Sequence, residues 1–440
     1  MEVQLNSNNL QKVILALLAR EKKKLPWEKS HRNTILGLCV TLKKIRENEA
    51  NEGHDPVKRL WVKEMYSVEN RLSYGASDTF VRTLREQYPD DFYNFFRMPP
   101  DLFETLLSIV GPSITKQHHI REPISPRILL ELTIRWLATG DNFETLSALF
   151  RVSPSSVSNI INEVTLAIWA CLKPLVFRKL NQEEWRKIAR GFKNEWDYDH
   201  CVGAVDSKLV KIIPPPHCGS LVYDYKGHHS IHLHAIVDAY QIFTLVDVGA
   251  AGRQSDGGVF RASKIGQMFI NNQMDLPPPE PLIEGGPDMP WVLVADEAFG
   301  LSNFCMRPYP RSRAMNLRKK VFNYRLSRAR RIVEAAFGTL VRVWQVLGNP
   351  VKTTLKVTIQ TVHACVCLHN FLIMYDERRE RPQREVHNED VFQVIEHEIE
   401  ADDPRPREGS LESVRYEFSR YFMNEGAVNF QWDRAMNYNF

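Results

Sequence analysis

The sequence predicts an α/β protein, a mixed sheet clothed by helices, with an all-helical region containing a helix-turn-helix ahead of it. Three observations carry this reading. Runs rich in Val, Ile and Leu at 201–213, 230–238, 241–248 and 291–295 have the length and composition of strands. Regions 61–174 and 323–375 instead place apolar residues at helical spacing. Strands 230–238 and 241–248 are separated only by Ala239 and Tyr240, a connection tight enough to demand antiparallel pairing. Three strands, a helix, a strand and later helices describe a mixed sheet.

In chain order, 1–60 reads as an N-terminal extension. Leu10, Val13, Ile14, Leu17 and Leu18 form a helical stripe, and the basic cluster at 20–24 is either a solvated helix end or an import signal. A linker follows at 47–56. The helical region, 61–175, includes a helix start at Pro99, Pro100 and Asp101 and a strongly apolar helix over 128–137 that stops at Gly140. Helices at 143–150 and 154–169 are joined by Arg151, Val152 and Ser153. Ser153 suits a cap, and Pro154 suits the first helical position. This spacing fits a helix-turn-helix over 143–169, and an ordinary helical bundle explains it equally. The sheet-bearing domain covers 195–375, with a helix over 256–269, a proline-rich loop over 277–290, a long helix over 323–347 and a last helix over 358–375. From 376 to 440 both charge signs and proline dominate, which predicts a largely disordered tail with a short amphipathic helix over 412–423.

The 440 residues are 43% hydrophobic and 25% charged, ordinary globular values, and the net charge of +4 is mild. Seven cysteines without a C-x-x-C pair predict reduced thiols. The polar, acidic start does not resemble a signal peptide, and the sequence shows no uninterrupted apolar run of membrane-spanning length, so a soluble intracellular protein is expected.

Three carboxylates stand where chemistry would want them. Asp206 interrupts the first buried strand, where an ionised group is costly unless a partner offsets it. Asp296 ends the strand at 291–295, and Glu334 lies in the long helix beside Val333, Ala336 and Phe337, on a face expected to turn toward the core. Two strand acids and one helix acid suit a pair of Mg²⁺ ions about 4 Å apart, the arrangement that clamps both oxygens in phosphoryl transfer. Asp256, after Gly252, Arg253, Gln254 and Ser255, either caps a helix or joins the set. Between Glu297 and Glu334 no acid occurs. The same interval holds Arg311, Arg313, Arg318, Lys319, Lys320, Arg328, Arg330 and Arg331 among its basic residues, a one-sign block suited to nucleic-acid phosphates. His363, Cys365, Cys367 and His369 invite a zinc reading, but on a helix these spacings spread around the axis and fit packing better.

Several ordered stretches resemble the PIF/Harbinger transposases and the nuclease-like proteins derived from them. They are FRMPPDLFETLL from Phe96, IRWLATGDNFETLSALFRVSPSSVSNII from Ile134, GAVDSKLVKI from Gly203, YDYKGHHSIHLHAIVDA from Tyr223, VDVGAAGRQSDGGVF from Val246, VLVADEAF from Val292, RRIVEAAFGTLVRVW from Arg330 and CLHNFL from Cys367. The resemblance runs over roughly 61–375. It implies an RNase H-like fold and metal-dependent DNA cleavage by a DDE triad, falling here on Asp206, Asp296 and Glu334, with Asp256 as a further metal-binding acid. It implies Mg²⁺ or Mn²⁺ as cofactor, DNA as substrate, a separate Myb/SANT-like DNA-binding partner, and work in the nucleus, with the cytoplasm as a second location. A homo-oligomer is left open and no membrane association is expected. In one departure, His232 and His234 stand where the family usually has amides, which suggests either satisfied core histidines or metal tuning. The alternative function is a domesticated DNA- or chromatin-binding adaptor that no longer cuts. A phosphatase acting on small substrates would fit the acids but not the basic block.

Overall fold

The computed structural model describes residues 62–117, 122–216, 218–220, 222–312, 315–378, 405–407 and 409–437. The N-terminal stripe, the basic cluster at 20–24, the linker, Arg313 and most of the charged segment after 378 lie outside these residues.

Helices begin where the sequence supplies caps. After short helices α1 (Val68–Tyr74), α2 (Arg82–Gln87) and α3 (Pro89–Phe96) come α4 (Pro100–Ile114) and α5 (Pro126–Thr139). In α5 the Ser125 hydroxyl accepts from the Ile128 amide, and Gly140 ends the helix in the left-handed region at φ +72°. α6 (Phe143–Phe150) and α7 (Pro154–Val176) are joined by the expected three residues, with the Ser153 hydroxyl capping α7. The buried face of α7, including Val157, Ile161, Val164 and Ile168, is apolar, and Ser155, Ser158, Asn159 and Asn162 face outward.

α8 (Gln182–Trp196) leads into β1 (Cys201–Lys211), β2 (Ser230–Val237) and β3 (Phe243–Ala251), an antiparallel meander. The β2–β3 connection is longer than the two residues expected. The Asp238 carboxylate accepts from the Tyr240 and Ile242 amides and organises a five-residue loop, with Gln241 at φ +68°. The expected helix over 256–269 is two helices, α9 (Asp256–Ala262) and α10 (Lys264–Ile270), because the Ser263 hydroxyl accepts from the Gly266 amide and starts a new one. The proline-rich loop contains a small ladder, β4 (Glu280–Pro281) with β5 (Asp288–Met289). β6 (Val292–Val294) pairs parallel with β1, and β7 (Cys305–Met306) pairs parallel with β6. The five-stranded order is therefore β3-β2-β1-β6-β7, a mixed sheet compatible with a nuclease fold. Gly203 is required at its centre: a Cβ there would stand 2.4 Å from the Ile236 Cγ2.

α11 (Leu317–Val343) and α12 (Leu355–Arg378) cover the sheet. By length and average hydropathy, α7 and the stretch Leu355–Tyr375 of α12 could cross a membrane, although polar residues interrupt both. They are core helices packed on each other: His363 stacks on Trp169 at 4.2 Å, and Val362, Cys365 and Cys367 are buried. Asn370 explains part of the CLHNFL motif. Its side chain exchanges hydrogen bonds with both backbone groups of Phe243 in β3 and donates to the Val176 carbonyl at the end of α7. The expected boundary between a helical and a sheet domain is thus bridged, and the described residues from Met65 onward fall in one unit.

The short helix expected over 412–423 is present, and a second helix follows it where a largely disordered tail was expected. α13 (Leu411–Tyr421) and α14 (Gln431–Asn437) pack on α11. Phe418 and Phe422 are buried against Tyr198, a contact that the composition of the segment did not announce.

Candidate functional site

The parallel register of β1 and β6 creates the site. Ala204 stands opposite Val294, the last residue of β6, so Asp206 in the middle of β1 lies close to Asp296, two residues beyond the end of β6. Each is braced by backbone: the Ser207 amide donates to Asp206 Oδ1 at 2.7 Å, and the Ala298 amide to Asp296 Oδ1 at 2.9 Å. Burial pushes the Asp206 carboxyl up to about 6. The negative charges of Asp296 and Asp256 add to this, and the Ser207 amide and Arg330 oppose it. Asp296 is raised as well, chiefly by burial, against the Ala298 amide and Arg330.

Glu334 does not face the core. Its side chain is 50% exposed and is held by Arg330, four residues earlier, at 2.6 Å. Arg330 also approaches Asp206 at 3.7 Å, so one guanidinium links the helix acid to the strand acid. Arg330 was expected among the DNA-contacting residues and instead balances the acid cluster. Its spacing from Glu334 was the available signal, since residues four apart on a helix are neighbours.

Asp256 is not the cap of α9. Ser255 is, through its hydroxyl and the Gly258 amide, which leaves the Asp256 carboxylate free to turn toward β2. There Asp256 Oδ1 lies 3.4 Å from His232 Nδ1, and His232 and Ser207 hold its carboxyl below the usual range against the effect of burial. His232 is satisfied: Nδ1 meets the Ser207 hydroxyl at 2.8 Å and Nε2 meets the Gln254 carbonyl at 3.1 Å. His234 lies parallel to His232 with ring centroids 5.3 Å apart. Burial pushes it down to about 4 and keeps it neutral.

The basic block divides. Arg318 is buried and donates to the Ser419 hydroxyl, while Arg328 pairs with Asp197 at 2.5 Å, so both hold the fold rather than await a ligand. Arg325, not singled out from sequence, is 1% exposed and binds the C-terminal segment. Arg311 and Arg331 are exposed, and Lys319 and Lys320 are partly so. A sequence window without acids could not reveal that the partners of Arg318, Arg325 and Arg328 come from elsewhere in the chain.

The donor set is carboxylate oxygen, the choice of hard divalent cations. Asp206, Asp296 and Glu334 share the neighbourhood of Arg330, and burial raises Asp206 and Asp296, a cost to their charged forms that a bound cation would offset. The residues therefore fit Mg²⁺ or Mn²⁺.

A five-stranded mixed sheet with one acid inside β1 and another just past the end of the neighbouring β6 is consistent with a nuclease domain. Residues 205–370, which contain all four acids, match the family model described as DDE superfamily endonuclease. Over that span the chain is similar to this superfamily. Neither a curated protein nor a solved structure matches the chain.

Proposed function

We propose that the chain is a metal-dependent DNA endonuclease of transposase type, with an RNase H-like sheet and a DDE triad of Asp206, Asp296 and Glu334. The observation that carries the proposal is the closeness of Asp206 in β1 to Asp296 just past the end of the parallel strand β6, with Glu334 linked to Asp206 through Arg330. Asp206 and Asp296 would hold the cation through carboxylate oxygens, and Glu334 would complete the set from α11. Bound there, a divalent ion supplies Lewis-acid polarisation of a phosphodiester. Arg330 holds the two acids in position and offsets their repulsion. The backbone amides of Ser207 and Ala298 fix the aim of the strand carboxylates. Arg311, Lys319, Lys320 and Arg331 would meet DNA phosphates. A Myb/SANT-like partner and a nuclear setting complete the proposal; delegated recognition is suggested by residues 154–169 of α7, which present serine and asparagine outward and include no basic residue.

Purified protein is expected to nick DNA with Mg²⁺ or Mn²⁺ and to stop on addition of EDTA. Asp206→Asn, Asp296→Asn and Glu334→Gln should each reduce nicking roughly 100-fold or more, because even indirect supports of a metal site are worth about 10- to 100-fold. Full activity in any variant removes that residue from the triad. Tight DNA binding with no metal-dependent nicking in wild type would instead establish the adaptor reading.

A further inference from the structure

A second group of side chains lies beside the acid cluster and is not absorbed by it. Strand alternation sends Asp206 and Ser207 to opposite faces of β1. Ser207 pairs with His234 in the ladder, so Ser207, His232 and His234 share the face away from Asp206. Asp256 reaches that face from the start of α9. One nitrogen from each imidazole and one carboxylate oxygen lie within 4.8 Å of one another.

Two features point to a ligand. His234 is more than nine-tenths buried, and neither of its ring nitrogens has a hydrogen-bond partner, a costly state for a polar group. His232 Nε2 donates to the Gln254 carbonyl, and its Nδ1 is directed at both the Ser207 hydroxyl and the Asp256 carboxylate. Asp256 Oδ1 stands 3.4 Å from this Nδ1. Two ligands on one tetrahedral ion with bonds of about 2.0–2.1 Å stand about 3.3 Å apart. A histidine whose second nitrogen donates to a backbone carbonyl is also the usual support of a metal-bound imidazole.

We propose that His232 Nδ1, a ring nitrogen of His234 and the Asp256 carboxylate form a separate site for a borderline divalent transition metal of the Zn²⁺ class. Mixed imidazole and carboxylate donors favour such an ion over Mg²⁺, which takes oxygen. The site ties α9 to β2 alongside the acid cluster and stands whether or not that cluster cuts DNA.

The probe is Co²⁺ added to metal-stripped full-length protein, read by its visible absorption, with Zn²⁺ as competitor. Wild type and the double variant Asp206→Asn/Asp296→Asn are each expected to take up one equivalent that Zn²⁺ displaces. His234→Gln should weaken this uptake roughly 100-fold or more, since loss of a direct ligand exceeds the 10- to 100-fold cost of losing an outer support. Asp256→Asn, on a residue half open to solvent, should do the same and keeps the comparison intact if His234→Gln fails to fold. The proposal is overturned if wild type takes up no Co²⁺, or if folded His234→Gln or Asp256→Asn binds it like wild type. It is equally overturned if Asp206→Asn/Asp296→Asn abolishes uptake, which would assign the ion to the acid cluster.

Discussion

Replacing Arg325 with methionine should release the C-terminal helices from α11. The guanidinium is 1% exposed and donates to the Gly426 carbonyl and the Gln431 Oε1, both at 2.8 Å, and to the Asp197 carbonyl. It also lies 4.4 Å from the Phe422 ring centroid. Burial pushes Arg325 down to about 10, so it remains charged at neutral pH and its charge is carried at a cost. Methionine keeps the apolar stem but leaves those acceptors without a donor, and each buried unsatisfied group costs about 1–3 kcal/mol. Removal of the costly charge offsets part of that sum, which brings the expected loss to about 3–5 kcal/mol, the range for breaking a buried ionic contact. Denaturant unfolding measures the loss, and limited proteolysis should show cleavage entering 409–437. A loss below about 1 kcal/mol with undiminished protease resistance would refute the claim that Arg325 locks this segment.

Glu131 should give the fold a pH dependence far from the acid cluster. It is fully buried, with Arg85 at 3.8 Å, and burial raises its carboxyl to about 7. The folded state then holds a proton that the unfolded state releases above about 4.5. Its contribution is complete below that pH and falls by about 1.4 kcal/mol per unit, up to ~3 kcal/mol, as pH rises toward 7. Glu131→Gln should flatten this slope and be the more stable protein at pH 8; an unchanged pH profile would remove Glu131 as the cause. Arg311→Gln, Lys320→Gln and Arg331→Gln together should reduce the salt dependence of DNA binding by up to ~0.9 log units per lost phosphate contact, and an unaltered slope would clear these side chains of contact. Full-length protein is expected to capture a DNA-binding protein with a Myb/SANT-like domain from nuclear extract. A clean pull-down, or tight sequence-specific binding by the chain alone, would count against delegated recognition.

Much of the sheet was legible because strands and caps are local properties. Val, Ile and Leu runs marked β1, β2, β3 and β6, and Ser153 with Pro154 marked a helix start. The site acids were legible for the same reason: Asp206 stood out against an apolar strand, and Asp296 closed another. What stayed hidden was relational. Asp256 looked like a cap until Ser255 proved to occupy that position. Glu334 looked core-facing because its neighbours in sequence are apolar, yet the helix turns it outward to Arg330. Arg318 and Arg328 looked free because their partners, Ser419 and Asp197, lie about a hundred positions away.

The same distinction explains why a boundary between helical and catalytic parts was drawn where the fold has none. The helical pattern runs to about 174 and the first strand begins at 201, and the boundary was set between them. Physically, α7 is an apolar helix whose partner is α12, at the far end of the sheet-bearing region, and neither buries its face without the other. Asn370 makes the dependence specific, since one buried amide serves the end of α7 and the start of β3 together. Cutting the chain near 180 would expose the α7 surface around Trp169 and take from Asn370 the Val176 carbonyl to which it donates. The helices before β1 are therefore part of the support of the sheet, and any contact they make with DNA or a partner is coupled by packing to the strands that hold Asp206 and Asp296.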